Sequence, residues 1–253
     1  MDRAIPWTII FGNHDEEGDL SREEMMRSVQ DIPYSLSERG PLGISGTGNY
    51  VLSIHNHRHR GHGWEEEASL QRDDKSRFSL YFLDSGAYSF SLEYPGWDWI
   101  KDDQVEWFRQ TSREITSRYR PDEIPNALAF FHIPIPEYDL TEPEDTPPED
   151  GDDDNDNDGD SRQITKKHKS DDDGRVVGNK GERVSSPSYN SGMFDAIFES
   201  RDVRATTAGH DHINDYVRIL LYFPGVPLLV SVYSMKQKLL LRSFPFVSFF
   251  FIS

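Results

Sequence analysis

Short apolar runs recur along the chain, and most stop at a Gly, Asp, Asn or His. Residues 7–11 run into Gly12-Asn13-His14-Asp15, and residues 78–83 stop at Asp84-Ser85-Gly86. Residues 126–131 meet His132-Ile133-Pro134, and residues 203–208 lead into Gly209-His210-Asp211-His212. Runs of this length bounded by turn residues predict buried strands, as does the stretch 46–54. Other segments carry helical spacing. Residues 21–30 place Met25, Met26 and Val29 behind Ser21, a good N-cap, and residues 98–112 space Trp99, Ile100, Trp107 and Phe108 along one face. Residues 194–200 form a third helical segment. Strands alternating with helices predict an α/β fold.

Two stretches break this pattern. Between residues 137 and 174 there are sixteen Asp or Glu against four Lys or Arg, a net of −12 out of the chain's −18. Such a segment buries too little apolar surface to fold, so a disordered acidic insert is expected over residues 141–188. It divides one domain into a first segment, 1–140, and a second, 189–218. Residues 219–253 turn apolar, with Pro224, Pro227 and Pro245 interspersed. This stretch is short of the roughly 20 unbroken apolar residues of a membrane span and reads as strands of the core sheet or as an atypical hydrophobic tail.

The acidic balance disfavours nucleic-acid backbones and anionic membranes as partners. With no cysteine in the chain, disulfides, thiolate nucleophiles and zinc–thiolate sites are excluded. The first residues, Met-Asp-Arg-Ala-Ile-Pro-Trp, lack the apolar core of a signal peptide, so a cytoplasmic location is expected.

Candidate chemistry gathers at the strand ends. Asn13, His14, His132, His210 and His212 each follow an apolar run, and in α/β sheets the carboxyl ends of strands are where ligands collect. Imidazole and amide or carboxylate oxygen suit Fe, Mn or Zn. Two such ions about 3.5–4 Å apart activate water for in-line attack on phosphorus.

In their order and wording, Phe11-Gly12-Asn13-His14-Asp15, Phe130-Phe131-His132-Ile133-Pro134 and Gly209-His210-Asp211-His212 resemble the last three motifs of the calcineurin-like metallophosphoesterases. The purple-acid-phosphatase-like branch of fungi and plants is the most similar. Gly48-Asn49-Tyr50, Leu83-Asp84-Ser85-Gly86, Gln104, Trp107 and Asn214-Asp215-Tyr216 extend the likeness over about residues 5–140 and 190–216. The resemblance implies a sandwich of two mixed β-sheets flanked by helices, and phosphoric monoester hydrolysis at two transition-metal ions. It implies that Asn13, His132 and His210 hold one metal and that His212 belongs to the other. His14 would contact phosphate and protonate the leaving group, with Asp15 orienting its ring. A phosphorylated protein or a small phosphoester would be the substrate.

The family's Asp-x-His and Gly-Asp motifs lie upstream of Gly-Asn-His-Asp, and only residues 1–11 precede that motif here. The chain therefore reads as N-terminally truncated, and weak or absent turnover and partial metal occupancy are expected. A rival reading is a non-catalytic interaction protein whose acidic insert binds basic partners. His55, His57, His59 and His62 read as a solvated loop. Residues 154–160 imitate the opening of an EF-hand loop, but position twelve would be Thr165, so an acidic linker is the better reading.

Overall fold

The computed structural model describes residues 5–55, 75–141, 176–222, 226–232 and 248–251. The first apolar run forms strand β1 (Trp7–Ile10), followed by helix α1 (Arg22–Gln30). Ser21 caps that helix in a reciprocal box: its hydroxyl serves the Glu24 amide, while the Glu24 carboxylate accepts from the Ser21 N–H. Strands β2 (Tyr50–Ile54) and β3 (Phe78–Phe82) come next, then helix α2 (Asp102–Thr116) and strand β4 (Asn126–Phe130). After β5 (Val176–Asn179) come helix α3 (Met193–Ser200) and strand β6 (Val203–Ala208). Strands β7 (Asp215–Tyr222), β8 (Val226–Val232) and β9 (Ser248–Phe251) complete the described residues.

Seven strands form one mixed sheet in the order β2-β3-β4-β6-β8-β7-β5, and β1 pairs with β9 in a second, parallel sheet of two strands. Within the large sheet β3, β4, β6 and β8 run parallel, so the carboxyl ends of β3, β4 and β6 share one edge. Alternation along the strands builds two separate cores. Tyr81, Ala127, Ala129 and Phe131 pack with Val105 and Phe108 of α2 and with Ala196 and Ile197 of α3. Leu80, Phe82 and Phe130 point the other way, onto Ile10 of β1. The opposite face of β1, with Ile9 and Phe11, covers Met26 of α1. The layers are therefore helices, large sheet, small sheet, helix. This is the helix-flanked two-sheet architecture expected from the resemblance, with a second sheet that is parallel rather than mixed.

A polar bond ties the layers. The Tyr50 hydroxyl donates to the Ile9 carbonyl at 2.6 Å and also bonds Thr8 Oγ1, and burial pushes its pKa up to about 12.

Several elements differ from the sequence expectation. The strand expected from residue 46 begins only at Tyr50, because Gly46 and Gly48 take φ of +77° and +101°, a turn conformation that strands do not use. Helix α2 starts four residues late and runs on to Thr116. Its entry is set by Lys101, whose N–H donates to Gln104 Oε1 at 2.7 Å. Residues 176–188 were expected inside the acidic insert, but they form β5 and a docked loop. Val184 is buried in the main core there, and the Gly181 and Glu182 N–H groups donate to Asn214 Oδ1. Averaged composition conceals such short apolar anchors. The rest of the expected insert, residues 142–175, lies outside the described residues, as do His57, His59 and His62. Strand β7 crosses the boundary expected at residue 219, and β8 lies wholly beyond it within the large sheet. Among the described residues no helix is long and apolar enough to cross a membrane.

Phe108 is fully buried and meets Tyr81 edge-on at 4.9 Å, at the seam between α2 and the sheet. Phe108→Ala should lower the unfolding free energy by about 3–5 kcal/mol in urea titration. A loss too small to measure would mean that α2 is not docked there.

Candidate functional site

The sheet edge gathers the predicted residues from both sheets. The turn after β1 carries Asn13, the end of β4 carries His132, and the turn after β6 carries His210. All three are buried, at 2%, 1% and 7% exposure. Asn13 Oδ1 lies 2.8 Å from His132 Nε2 and 3.1 Å from His210 Nδ1. An amide oxygen only accepts, so in this arrangement both imidazoles present an N–H to it. The two rings stand 5.3 Å apart at 76°. Gly12 allows this approach, since a Cβ there would meet the His132 ring at 3.2 Å.

Hydrogen bonds in the surrounding turns fix these positions. Ser85 Oγ accepts from the N–H groups of His132 and Ile133, at 3.2 and 2.8 Å, which fastens the end of β4 to the end of β3. Asp211, beside His210, accepts from the Ser185 N–H and from Asn214 Nδ2, locking the turn between β6 and β7. Asn49 Oδ1 accepts from the Asp84 N–H and from Gln104 Nε2, which also donates to the Asp84 carbonyl.

Beneath this lies a buried ion pair that sequence reasoning missed. Arg22, the first residue of α1, pairs with Asp84 and donates to the carbonyls of Gly12 (2.9 Å) and Gly86 (3.0 Å). Asp84 accepts further from the N–H groups of Thr47 and Gly86. Burial pushes the Asp84 carboxyl above its ordinary range, against the pull of Arg22 and these donors. An arginine in a helix's first turn opposes the helix dipole, and that oddity was the available signal.

Residues expected to act beside the buried trio are more open. His14 and His212 are both exposed. Asp15 does not orient His14: its carboxylate accepts from the Gly12 N–H at 2.6 Å, while His14 Nδ1 bonds Glu17 Oε1 at 2.7 Å. The cause is the 3-10 turn Asp15–Glu17, which brings residues three apart into register and puts Glu17 under His14. The trio itself is uncharged near neutral pH. Burial, then the neighbouring His210 and Arg22, hold the His132 pKa down at about 3. Burial, then His212 and His14, hold His210 at about 4.

The donor set fits one metal ion. Three potential ligand atoms converge, and each neutral imidazole can free its Asn13-facing nitrogen for an ion by carrying its proton on the other ring nitrogen; Asn13 Nδ2 and His210 Nε2 are buried without hydrogen-bond partners among the described residues. Among the described residues no three His, Cys, Asp or Glu side chains form a metal-holding group, so the trio relies on an amide oxygen beside its two imidazoles, and no complete set for a second ion stands next to it there. The nearby carboxylates of Asp15, Asp84 and Asp211 are committed to backbone or side-chain partners.

Among known proteins, the chain is 35% identical over 221 residues to "Probable inactive purple acid phosphatase 29" of Arabidopsis thaliana. That alignment takes in 84% of this chain and 47% of the relative. It is 30% identical over 230 residues to "Probable inactive purple acid phosphatase 14" of the same plant, covering 85% of this chain and 47% of the relative. It is also 30% identical over 219 residues to "Phosphatase DCR2" of Saccharomyces cerevisiae, covering 85% of this chain and 31% of the relative. The chain thus spans about half the length of the plant proteins and less of the yeast one. No family model and no solved structure matches it.

Two outcomes follow from the geometry. Removing the Arg22 charge strands a buried carboxylate, so Arg22→Met should cost about 3–5 kcal/mol in urea unfolding, with partial recovery when Asp84→Asn is added. No recovery in the double variant would place the cost elsewhere. The depressed histidines also make the fold sensitive to acid. Below their ordinary pKa of about 6.5 the unfolded chain takes up protons that the folded chain refuses, until the folded pKa values are reached. Stability should therefore fall between about pH 6.5 and 4, on the order of 1 kcal/mol per pH unit for each histidine. Urea midpoints measured across that range check it, with a shallower slope expected for His132→Gln.

Proposed function

We propose, from the premise that the chain is a homologue of purple acid phosphatase-like proteins over most of its length, that its sheet edge is the metal-binding half of a phosphomonoesterase site. The observation that supports this most is the convergence of Asn13 Oδ1, His132 Nε2 and His210 Nδ1 from three strand ends. Asn13, His132 and His210 would hold one divalent transition ion, Fe, Mn or Zn. His212 would lie toward a second. A metal bound there supplies Lewis acidity toward a phosphoryl oxygen and lowers the pKa of water.

The chain's own residues do the rest. His14 is exposed beside the trio, and the Glu17 carboxylate fixes its ring through Nδ1. A ring held in this way is placed to contact phosphate and to give a proton to a departing alkoxide. Hydrogen bonding to His14 holds Glu17 below its ordinary range, so the acceptor stays ionised. Asp15 keeps the turn closed through the Gly12 N–H, which sets Asn13 and His14 side by side. Arg22 is spent on Asp84, on Glu16 and on the two carbonyls and does not serve as a phosphate clamp.

Three neutral ligands lack the charge that offsets a divalent ion's lost hydration, so affinity and turnover of this chain are low. The substrate class is a phosphomonoester on a protein or a small molecule. Calorimetry with Mn²⁺ or Zn²⁺ should give one weak site per chain, abolished by His132→Ala or His210→Ala. Hydrolysis of p-nitrophenyl phosphate should be slow. Two tightly held ions with robust turnover, lost in His14→Ala, would overturn the single-ion reading.

A further inference from the structure

His210 has fewer restraints than its position requires. Its backbone takes φ of +75°, a left-handed conformation that is uncommon away from glycine. Its ring has one hydrogen bond, Nδ1 to Asn13 Oδ1, and Nε2 is buried without a hydrogen-bond partner among the described residues. A single hydrogen bond leaves an imidazole free to rock about it. By contrast, the His132 ring is backed by Gly12, and the residue's backbone N–H donates to Ser85 Oγ.

The indole of Trp97 supplies the missing restraint. Its ring meets that of His210 at 4.3 Å between centroids and 85° between planes, a T-shaped contact between a flat wall and a ring edge. Trp97 is itself held. It forms a backbone bridge with Tyr88, and the two side chains meet at 5.3 Å. Around that bridge the Ser89 N–H donates to the Gly96 carbonyl at 2.9 Å, and the Asp98 N–H donates to the Ala87 carbonyl at 3.1 Å. The hairpin's base is anchored at Gly86, whose carbonyl accepts from Arg22 and whose N–H donates to Asp84.

We propose that Trp97 is the positioning residue for His210, holding its imidazole so that Nδ1 stays turned toward Asn13 and His132. The proposal rests on the reading of that trio as a ligand set, but the restraint itself belongs to the metal-free chain. The Trp97 indole N–H is a donor only and is itself no metal ligand. The ring removes a rotation that would otherwise have to be frozen each time the trio closes on an ion. A rigid aromatic wall of this kind does for His210 what a hydrogen-bonding carboxylate often does for a metal-binding histidine.

Two measurements on the full chain separate the restraint from the ligand set. Imidazole ¹⁵N spectra of the metal-free protein should show His210 in one tautomer in the wild type and in Trp97→Phe, which keeps an aromatic wall. Trp97→Leu should show a mixture. Calorimetric titration with Zn²⁺ alone should give wild-type affinity for Trp97→Phe and a loss of about tenfold or more for Trp97→Leu, the range for removing a residue that orients a ligand. Amide spectra of α2 and β4 should be unchanged in both, which separates positioning from a general loss of structure. A single His210 tautomer and wild-type Zn²⁺ affinity in Trp97→Leu would overturn the proposal. If the wild type takes up no Zn²⁺, the ligand-set reading fails and the tautomer comparison alone decides whether Trp97 positions His210.

Discussion

A guanidinium buried at the first turn of a helix is unfavourable twice over, once for lost hydration and once for the helix dipole. Arg22 bears both penalties because of what it joins. One side chain reaches the carboxylate at the end of β3, the carbonyl of Gly12 after β1, and the carbonyl of Gly86 at the base of the Trp97 hairpin. Those three points belong to both sheets and to the loop that faces His210. Since Asn13 follows Gly12 directly, the pair sets how far the small sheet's contribution stands from His132 and His210. Apolar packing between β1 and the large sheet brings the layers together but is non-directional. The buried pair and its hydrogen bonds supply direction.

The chain's regular elements were legible where periodicity and punctuation agreed. Residues 203–208 form a short run bounded by Asp202 and Gly209, and the strand has those bounds. Ser21, read as an N-cap, marked the start of α1. Legibility failed where local propensity and backbone conformation diverged. The stretch from Gly46 has strand-like neighbours, but its two glycines adopt a conformation closed to other residues, and no hydropathy pattern encodes that. Residues 176–188 failed differently, because the acidic run before them dominates any average taken across the segment.

The candidate site shows the same division. Its proposed ligands were visible as polar residues ending apolar runs, and the structure brings Asn13, His132 and His210 together over sequence separations of 119 and 197. Their supports were not visible. Ser85 looks like a turn residue, Arg22 like helix surface, and Trp97 like packing, since each acts only through partners distant in sequence. Glu17 was within reach of reasoning, three residues after His14, but resemblance alone gave the orienting role to Asp15. A 3-10 turn rather than an extended loop decides between the two carboxylates.

The separations across the trio carry a consequence for the order in which the molecule is made. Asn13 leaves the ribosome long before His210, and the two cannot meet until β6 has docked into the sheet. The centre therefore closes late in folding. Entropy makes that lateness inexpensive: closing a loop of 197 residues rather than 119 costs only about 0.4 kcal/mol more, because the cost grows with the logarithm of length. The connection between Thr141 and Val176 falls inside the longer loop and outside the shorter one. By the same logarithmic rule, a change in the length of that connection alters the closure cost of the trio only slightly.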